Sequence, residues 1–470
     1  MTAFDQAGQL NNWALTPADR VQPFTYGVDA GVGETDNVSL MPTDKVSQTI
    51  ATVDTDFTVH ERSRLLDVNA VGDFSYLDYL QNAYGPQLIG RFDGVGNLAI
   101  VPGRLIWTLK DDFGQAAVDP YAPVTPNNME YVNYITTGPD LTLRLGGIDF
   151  IDVSARYARA QYQTSPFNSN RLLGSVVFGR DISAGAAVSL NANTERVLFD
   201  NTVVNTDFER SSGFGRYEVH GARTDFVGEL GATVVNQSGA SPASGLVNVG
   251  SVGVVTPGAA PVAVSQTKDS TSGPLAKLEL TRKVSASAKV FLTAGRDVTD
   301  SSSSFAAQST GAVGVNTITP AALTSDTFRT TYASAGWQYA LNRTTLTLSG
   351  RWEKDIYPGL SALDVTFPGA AFTVERRLTH AFTAQLMGRW NKTDYPRAVL
   401  GPQAFGSTEY AETVLGASLT WRHARGLEIR LRCSHDSYMV SNGNTGYHET
   451  RAFLTVGYRP TLAPAAENLQ

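Results

Sequence analysis

Apolar and polar residues alternate along most of this 470-residue chain, from about residue 23 to residue 459. In GLEIRLRCSH, residues 426–435, Leu427, Ile429 and Leu431 fall on one face, with charged residues between them. LLDVNAVGDFSY, TLTLSGRWEK and AFTAQLMGRWN repeat the pattern. A period of two residues is that of a β-strand with one apolar and one polar face, so the chain is predicted to be all-β.

Short turns alternate with longer polar links between these predicted strands. The short turns are placed at Glu61–Ser63, Pro102–Gly103, Gly146–Asp149, Ser183–Gly185, Gly221–Arg223, Val284–Ser287, Leu341–Arg343, Leu378–Thr379 and His423–Gly426. The links are placed at 34–45, 81–86, 114–127, 163–169, 199–206, 237–272, 298–326, 355–361, 393–409 and 438–446. This alternation predicts about 20 antiparallel strands, and the range of roughly 18–22 fits the same pattern.

The length of the strands favours a membrane protein over a soluble sheet. Many of the alternating segments are ten residues or longer, and a tilted strand needs ~9–11 residues to cross a bilayer. No stretch approaches the ~18 consecutive apolar residues of a membrane-spanning helix, and the other structure that satisfies its backbone in lipid is a closed barrel. We predict a transmembrane antiparallel outer-membrane β-barrel over 23–459, with a periplasmic segment at 1–22 and a periplasmic tail at 460–470.

Composition narrows the function further. Charged residues make up only 17% of the chain, the net charge is −7 and the basic residues are dispersed, which argues against nucleic-acid binding. The one cysteine, Cys433, cannot form an intrachain disulfide. The first twenty residues lack a basic-then-apolar signal, so we expect that a signal peptide has been removed and that the protein lies in the bacterial outer membrane.

The polar face of the predicted strands carries charges of both signs, and we interpret it as the lumen face. The candidate lumen-lining residues are Asp54, Asp56, Asp67, Asp73, Arg144, Arg156, Arg216, Glu218, Arg351, Glu353, Arg389, Arg430, Arg432 and Arg451. Such a lining hydrates a solute path, and its charges can also pair into ladders that stiffen the wall. The most basic strip, formed by Arg430, Arg432 and Arg451, is a candidate contact for anions.

Aromatic residues fall near both ends of the predicted strands. Phe150, Tyr339, Phe382, Trp421 and Tyr458 lie near short turns, and Tyr79, Tyr162, Trp352 and Trp390 lie nearer the links. Outer-membrane barrels carry a girdle of aromatic residues at each membrane interface. We expect these residues to form the two girdles.

The sequence offers little support for catalysis or metal binding. It has six histidines but no HExxH pair and no G-x-S-x-G elbow. Ser434 and His435 in CSHDSY are the weak candidates for a hydrolase site. We predict no catalytic, cofactor or metal site, no cofactor and no enzymatic activity. The expected partners are outer-membrane lipids and lipopolysaccharide, together with polysaccharide and periplasmic export components, and no nucleic acid.

The first predicted strand ends in the acidic phrase GETDNV. Glu34, Asp36 and Asn37 would suit a cation or catalytic site in isolation. At the top of the first strand of a barrel, they are predicted to form the extracellular rim where the chain leaves the membrane and turns. A contact of this rim with a divalent cation or lipopolysaccharide stays open.

TDNV at 35–38 is followed some forty residues later by YLDYL at 76–80. This combination resembles the outer-membrane β-barrels associated with exopolysaccharide systems, which include the PEP-CTERM-associated barrels and the group called β-barrel porin 2. The resemblance is clearest over 23–100. It implies an outer-membrane pore that serves secretion of an extracellular polysaccharide, and it brings no catalytic residues.

Three functions are therefore consistent with the sequence. The first is a porin-like channel that passes exopolysaccharide or its fragments. The second is a structural or surface-binding barrel with a closed lumen, in which the low-charge links 237–272 and 298–326 contact matrix, partner protein or lipopolysaccharide. These links either lie on the surface or constrict the lumen. The third is a barrel hydrolase that acts on lipid or glycan.

Overall fold

The computed structural model describes residues 23–238, 271–308, 324–358, 360–401, 404–423, 426–441 and 446–460. The segments 1–22 and 461–470 and most of the link 237–272 lie outside the described residues, so the predictions made for them stay predictions. Among the residues described, no helix combines the length and the apolar character needed to span a membrane.

The described chain is built almost entirely of antiparallel strands. In the described ranges there are twenty: β1 (Phe24–Thr35), β2 (Gln48–Arg62), β3 (Leu66–Tyr79), β4 (Gln87–Val101), β5 (Leu105–Ala117), β6 (Met129–Leu145), β7 (Asp149–Tyr162), β8 (Ser169–Ser183), β9 (Ala186–Phe199), β10 (Asp207–His220), β11 (Thr224–Ser238), β12 (Thr271–Lys283), β13 (Ala288–Asp300), β14 (Thr327–Ala340), β15 (Thr344–Ile356), β16 (Val365–Arg377), β17 (Phe382–Gly401), β18 (Ala404–Arg422), β19 (Leu427–Val440) and β20 (Tyr447–Tyr458). A short helix, α1 (Ser301–Gln308), follows β13.

The sheet closes on itself. Each strand pairs with the next one along the chain, and β1 also pairs with β20 from Val28↔Tyr458 to Thr35↔Arg451. Closure gives every described strand a neighbour on both sides, which is what a sheet in lipid needs to satisfy its backbone hydrogen bonds. The predicted all-β barrel of about 20 strands is confirmed.

The predicted short turns are also confirmed. The turns at 221–223, 284–287, 341–343 and 423–426 match the gaps between strands to the residue, and the others differ by one or two residues. All of them lie at one rim, which in outer-membrane barrels is the periplasmic rim. The longer connections lie at the opposite rim.

The predicted link 393–409 is wrong, because β17 and β18 continue through it. They reach 20 and 19 residues and pair across Tyr395↔Thr408 and beyond. Two prolines made this stretch resemble a loop. Pro396 lacks an N–H group, but it lies inside a register shift between Tyr395 and Ala398, where the regular pairing is already interrupted.

The two faces of the wall differ in side-chain character, as the sequence predicts. Val32, Leu454 and Leu431 lie side by side on three neighbouring strands, and each is nearly half exposed on the outside. The alternating positions point inward, and there Asp29 lies opposite Asp54. Apolar residues therefore cover the outside of the barrel and polar residues line the inside, which is the arrangement of a membrane barrel with a polar lumen.

Candidate functional site: the lumen and its constriction

The structure places all of the candidate lumen-lining residues on the inward side of the wall. They are Asp54 and Asp56 (β2), Asp67 and Asp73 (β3), Arg144 (β6), Arg156 (β7), Arg216 and Glu218 (β10), Arg351 and Glu353 (β15), Arg389 (β17), Arg430 and Arg432 (β19) and Arg451 (β20). Directly paired residues of neighbouring strands share a face, so their pairing traces one continuous polar surface. Their part in solute passage stays a prediction.

Many of these charges are paired along the wall. Arg156 Nη2 lies 2.5 Å from Asp140 Oδ2, and Arg389 Nη2 lies 2.9 Å from Glu412 Oε2. Further pairs join Arg144 to Asp181, Arg216 to Glu218 and Glu229, Asp67 to Arg62, and Asp56 to Arg459. Such pairs keep the lumen polar while they hold neighbouring strands together, so the two interpretations of the lumen charges are compatible.

The basic strip on β19 and β20 is largely neutralised. Arg430 pairs with Glu428, and Arg451 Nε lies 3.3 Å from Glu449 Oε2. Arg432 interacts with acidic side chains of β2 and β3. The strip therefore presents less free positive charge to an anion than its sequence indicates.

Helix α1 lies inside the barrel against the inward face of β5–β7. Its Phe305 and Ala306 are buried in one apolar cluster with Ala116, Val132, Tyr134, Ala158, Ala160 and Tyr162. The described beginning of the link 298–326, which contains α1, thus folds into the lumen. Sequence reasoning left the surface and the lumen open as alternatives for this segment.

A buried arginine anchors the start of α1. Arg171 on β8 is fully buried, and its Nη2 donates to Asp300 Oδ2 at 2.6 Å while Nη1 donates to Glu195 Oε1 at 3.1 Å. Asp300 in turn caps the helix, because its Oδ2 accepts the backbone N–H of Ser302 at 3.2 Å. The cap residue of α1 is therefore also the partner of a charge in the wall.

Two more contacts hold the same end of the helix. Arg210 on β10 pairs with Glu195, and its Nη1 donates to the carbonyl oxygen of Val298 at 3.2 Å. The hydroxyl groups of Tyr162 and Ser302 lie 2.7 Å apart in a hydrogen bond. The helix is thus fixed to three strands of the wall by charged and polar contacts.

The loop 118–128, between β5 and β6, crosses the lumen, and we call it the strut. Tyr121 Oη donates to the carbonyl oxygen of Ala362 at 2.9 Å, and its ring meets that of Tyr395 edge-on at 4.7 Å. β5 and β6 stand on the opposite side of the closed ring from β15–β17. The strut therefore bridges the barrel near the rim of the long connections.

The strut has its own internal framework. The Asn128 side chain donates to the carbonyl oxygens of Asp119 and Pro123, at 2.9 and 3.1 Å, and accepts the N–H of Asp119 at 2.7 Å. Asp119 Oδ1 accepts the N–H of Tyr121 at 2.9 Å. Burial raises the pKa of the Asp119 carboxyl, and this hydrogen bond opposes the rise.

A row of tyrosines lines the inner wall beside the strut, and we call it the tyrosine row. Tyr395, Tyr410, Tyr438 and Tyr447 occupy inward positions on β17–β20, with successive ring centroids 6.2, 5.7 and 5.1 Å apart. Tyr410 and Tyr438 are only half-buried. Their flat apolar faces with polar edges suit stacking against sugar rings.

Sequence reasoning missed this row, although a signal for it was present. Each of the four tyrosines lies at an inward position near the far end of its strand. The alternation of apolar and polar residues gives the face of each tyrosine, and its distance from the short turn gives its height in the wall. Together these two properties would have predicted that the four tyrosines lie side by side. The buried anchor of α1 carried no comparable signal, because its partners are far apart in the chain.

The rim residues Glu34, Asp36 and Asn37 organise the first long connection. Asn37 is buried, and its amide donates to the carbonyl oxygens of Met41 and His448 at 2.8 and 3.0 Å. Asp36 accepts a backbone N–H of β20, and Glu34 accepts a hydroxyl of β2, both at 2.7 Å. In the described residues, no group of three or more His, Cys, Asp or Glu side chains is arranged to hold a metal ion.

The weak hydrolase candidates lie on opposite faces of β19. Ser434 is paired with Arg451 on the lumen side, whereas His435 is paired with Thr450 and points outward. A serine and a histidine on opposite sides of a wall cannot act on one substrate. Cys433 also points outward and is exposed.

The prediction of two aromatic girdles is wrong for three of its members. Tyr339, Phe382, Trp421, Tyr458, Trp352 and Trp390 occupy outward positions, but Phe150, Tyr79 and Tyr162 point inward. These three residues occupy the inward positions of the alternation along their strands. A position near a strand end was therefore not enough to predict that the side chain faces the membrane. Phe150 instead lies under the Arg144 guanidinium, whose carbon is 5.2 Å from the ring centroid.

These features together define a class of protein. The barrel is closed and antiparallel, with short turns at one rim, longer connections at the other and an apolar outer surface. It is a bacterial outer-membrane β-barrel.

Comparisons with known proteins identify no family for this chain. No protein-family model matches the chain, and no curated protein matches it. Among solved structures, the FrpB iron transporter from Neisseria meningitidis (F5-1 variant) is similar at 9% identity and a TM-score of 0.43, over 96% of this chain and 84% of that one. The copper transporter OprC gives 9% and 0.43, over 94% and 81%. The siderophore receptor PirA from Pseudomonas aeruginosa gives 10% and 0.39, also over 94% and 81%. Similarities this low say nothing about what this chain binds or passes.

Proposed function

We propose that the protein is an outer-membrane channel for polar solutes whose extracellular half is narrowed by its own segments. The observation that carries this proposal is the polar inner wall, which continues from the short-turn rim up to α1 and the strut. An apolar or fully packed interior would offer no hydrated path, whereas paired charges of both signs do.

Exopolysaccharide or its fragments are the solutes that we propose, in the direction of export. One observation supports a sugar polymer, namely the tyrosine row at the constriction. The same solute is what the sequence resemblance of residues 23–100 to barrels of exopolysaccharide systems implies. Stacking on successive rings gives several weak contacts rather than one strong one. A polymer held in this way can enter and also leave.

A second candidate is a structural barrel whose lumen is closed. The specific observation in its favour is that α1 and the strut both occupy the lumen, where α1 is held by buried contacts and the strut by a partly buried hydrogen bond. In this case the exposed connections would contact matrix or a partner protein, and synthesis and export of polymer would proceed elsewhere.

Single-channel conductance in planar bilayers tests the channel against the closed barrel. We expect stepwise conductance from the full-length protein and a reversible drop in current when a neutral oligosaccharide is added. In the double variant Tyr410→Ala/Tyr438→Ala, the sugar concentration that halves the current should rise about tenfold, because each aromatic contact contributes roughly 0.5–1.5 kcal/mol.

Tyr217→Ala is the matched control, since Tyr217 lies on the outward face and is exposed. It should leave the sugar block unchanged. Conductance at the baseline of the empty bilayer would exclude the channel and favour the closed barrel. Conductance with no sugar block would keep the channel and exclude the proposed solute.

A further inference from the structure

Three cationic side chains stand close together on the outward face of β13–β15. Arg296 on β13 and Lys354 on β15 are both paired with Thr331 on β14, and Arg329 lies two residues before Thr331, nearer the rim of the long connections. Paired residues have Cβ atoms ~5 Å apart, and neighbouring strands are ~4.8 Å apart. The Cβ atoms of Arg296, Arg329 and Lys354 therefore form a triangle with sides on the order of 10 Å, and we call these three residues the cation triangle.

The cation triangle is not neutralised by the rest of the described chain. Arg296 and Lys354 are exposed, and within the described ranges none of the three cations forms a salt bridge. Arg329 Nη2 donates to the carbonyl oxygen of Ser272 at 3.1 Å, while its buried Nε has no hydrogen-bond partner among the described residues. Asp364, in the connection after β15, interacts with Lys354 at longer range.

Two other outward cations at similar positions along their strands form salt bridges, unlike the cations of the triangle. Arg159 Nη2 lies 2.5 Å from Asp200 Oδ2, and Lys392 Nζ lies 3.0 Å from Glu409 Oε2. The cation triangle is thus a local concentration of positive charge and not a general feature of the outer surface.

The position of the triangle is that of a lipid headgroup. Lys354 is ten residues beyond Thr344, the first residue of β15 at the short-turn rim. At ~3.3 Å per residue and a tilt of ~40°, this distance corresponds to about 25 Å along the barrel axis. The apolar band of such barrels is also ~25 Å tall, so the triangle lies where acyl chains end and headgroups begin, in the outer leaflet.

A shallow apolar groove lies on the outer surface below the triangle. It has a volume of about 680 Å³ and extends across β13–β18, with Ala335, Trp337, Leu348, Gly350, Phe372 and Trp390 among its lining residues. The small residues form its floor: a Cβ added to Gly350 would meet only the carbonyl oxygen of Gly369, at 3.8 Å. The groove is therefore open to a flexible apolar chain.

We propose that this surface binds a phosphorylated, acylated glycolipid of the outer leaflet, the lipid A part of lipopolysaccharide. Its phosphate groups accept hydrogen bonds from Arg296, Arg329 and Lys354, and an acyl chain lies in the groove. Charge complementarity selects this occupant, since arginine and lysine bind phosphate oxygens through charge-assisted hydrogen bonds. The occupant must also be apolar immediately below its phosphates, which lipid A is and a soluble anion is not.

Binding of lipid A to the folded full-length barrel in detergent tests the proposal, with native mass spectrometry as the measurement. The triple variant Arg296→Gln/Arg329→Gln/Lys354→Gln should bind bis-phosphorylated lipid A at least about tenfold more weakly than the unmodified protein. Arg196→Gln is the matched control: Arg196 is an exposed outward arginine on β9 that is paired directly with Glu209. It should bind as the unmodified protein does.

Two further arms separate the headgroup from the acyl chain. Gly350→Leu fills the groove and leaves the cations intact, so it should weaken lipid A binding several-fold. Dephosphorylated lipid A should bind the unmodified protein as weakly as lipid A binds the triple variant. Heat-dependent migration of each variant in gels reports that the barrel has folded.

The proposal fails if the triple variant and Arg196→Gln bind lipid A equally, because the triangle then has no special role. It also fails if phosphatidylglycerol, which carries one phosphate, binds as tightly as lipid A, because the surface then recognises anionic lipid in general. Channel activity is measured separately, so neither outcome depends on the proposed function.

Discussion

Arg171 illustrates at the scale of one residue how the interior of the barrel is specified. Its guanidinium group is fully buried, and removing such a charge from water is costly unless carboxylates pair with it. Glu195 and Asp300 fill this role, and they lie 24 and 129 residues away in the chain. The alternation along the chain gives no means of joining these three residues.

Arg171→Ala should destabilise the folded barrel by about 3–5 kcal/mol, because it leaves two buried carboxylates with Arg210 as their one cationic partner among the described residues. Release of α1 should also raise the conductance. The measurement is the free energy of unfolding in urea with lipid vesicles. Arg216→Ala removes a partly exposed lumen arginine as the control and should cost about 1 kcal/mol or less. Equal losses in the two variants would contradict the anchoring role of Arg171.

Asp355 presents the opposite situation, a buried carboxylate that forms no salt bridge within the described residues. It is 0% exposed, and no hydrogen bond of ordinary geometry reaches either carboxylate oxygen from the described residues, while the buried Glu353 lies two residues away on the same face. Asp355→Asn keeps the shape and removes the charge, so it should stabilise the barrel by about 1–2 kcal/mol. The same urea unfolding measures it, and a loss of stability would show that the carboxylate has a partner.

Among the elements, the strands could be predicted because apolar and polar residues alternate regularly along them. Helix α1 lacks such a pattern and could not be predicted. The strands of the wall repeat one pattern, so the sequence predicted the strands and the short turns to within one or two residues. The prediction of a link at 393–409 was wrong because its prolines were given more weight than the alternation of apolar and polar residues. Helix α1 has the sequence SSSSFAAQ, which shows no apolar stripe, and its position depends on the cap by Asp300 and on a pocket formed by distant strands.

The strut should respond to pH in a defined direction. Burial raises the pKa of Asp119 in the strut, and of Asp326 and Asp364 in two other connections at the same rim. An undocked Asp titrates near its ordinary value of about 3.9, so ionisation at neutral pH disfavours the docked state. Docking should strengthen as pH falls from 7 toward the raised pKa values, and the conductance should decrease.

Conductance recorded between pH 7 and pH 4 checks this prediction. Asp119→Asn removes the main titrating group of the strut, so its conductance should already be lower at pH 7 and should change less with pH. A rise in the conductance of the unmodified protein on acidification would contradict the predicted sign.

At the scale of the whole molecule, closure of the ring depends on its first and last strands. The pairing of β1 with β20 is shorter than that of β1 with β2. Arg459, directly after β20, reinforces this seam: its Nη2 lies 3.0 Å from Asp29 Oδ2 and 2.5 Å from Asp56 Oδ1, and its Nε lies 3.4 Å from Glu428 Oε2. One side chain thus joins the two ends of the sheet.

Arg459→Ala should lower the free energy of unfolding by about 2–3 kcal/mol, since three carboxylates lose a charged donor. Arg62→Ala is the control at the same rim, because Arg62 is mostly exposed and lies 3.8 Å from Asp67. It should change the free energy of unfolding by about 0.5 kcal/mol or less. If both variants unfold at the same urea concentration as the unmodified protein, Arg459 does not reinforce the seam.

The strut also implies an order of events during assembly. Its contact between Tyr121 and Ala362 joins residues 241 positions apart, so it forms only after most of the wall has been made. Contacts of such long range carry the largest loop-closure cost and form late in folding. We therefore expect a newly inserted barrel to be wide at first and to become narrow last, so that cells in which its maturation is slowed would leak small molecules through the unfinished barrel.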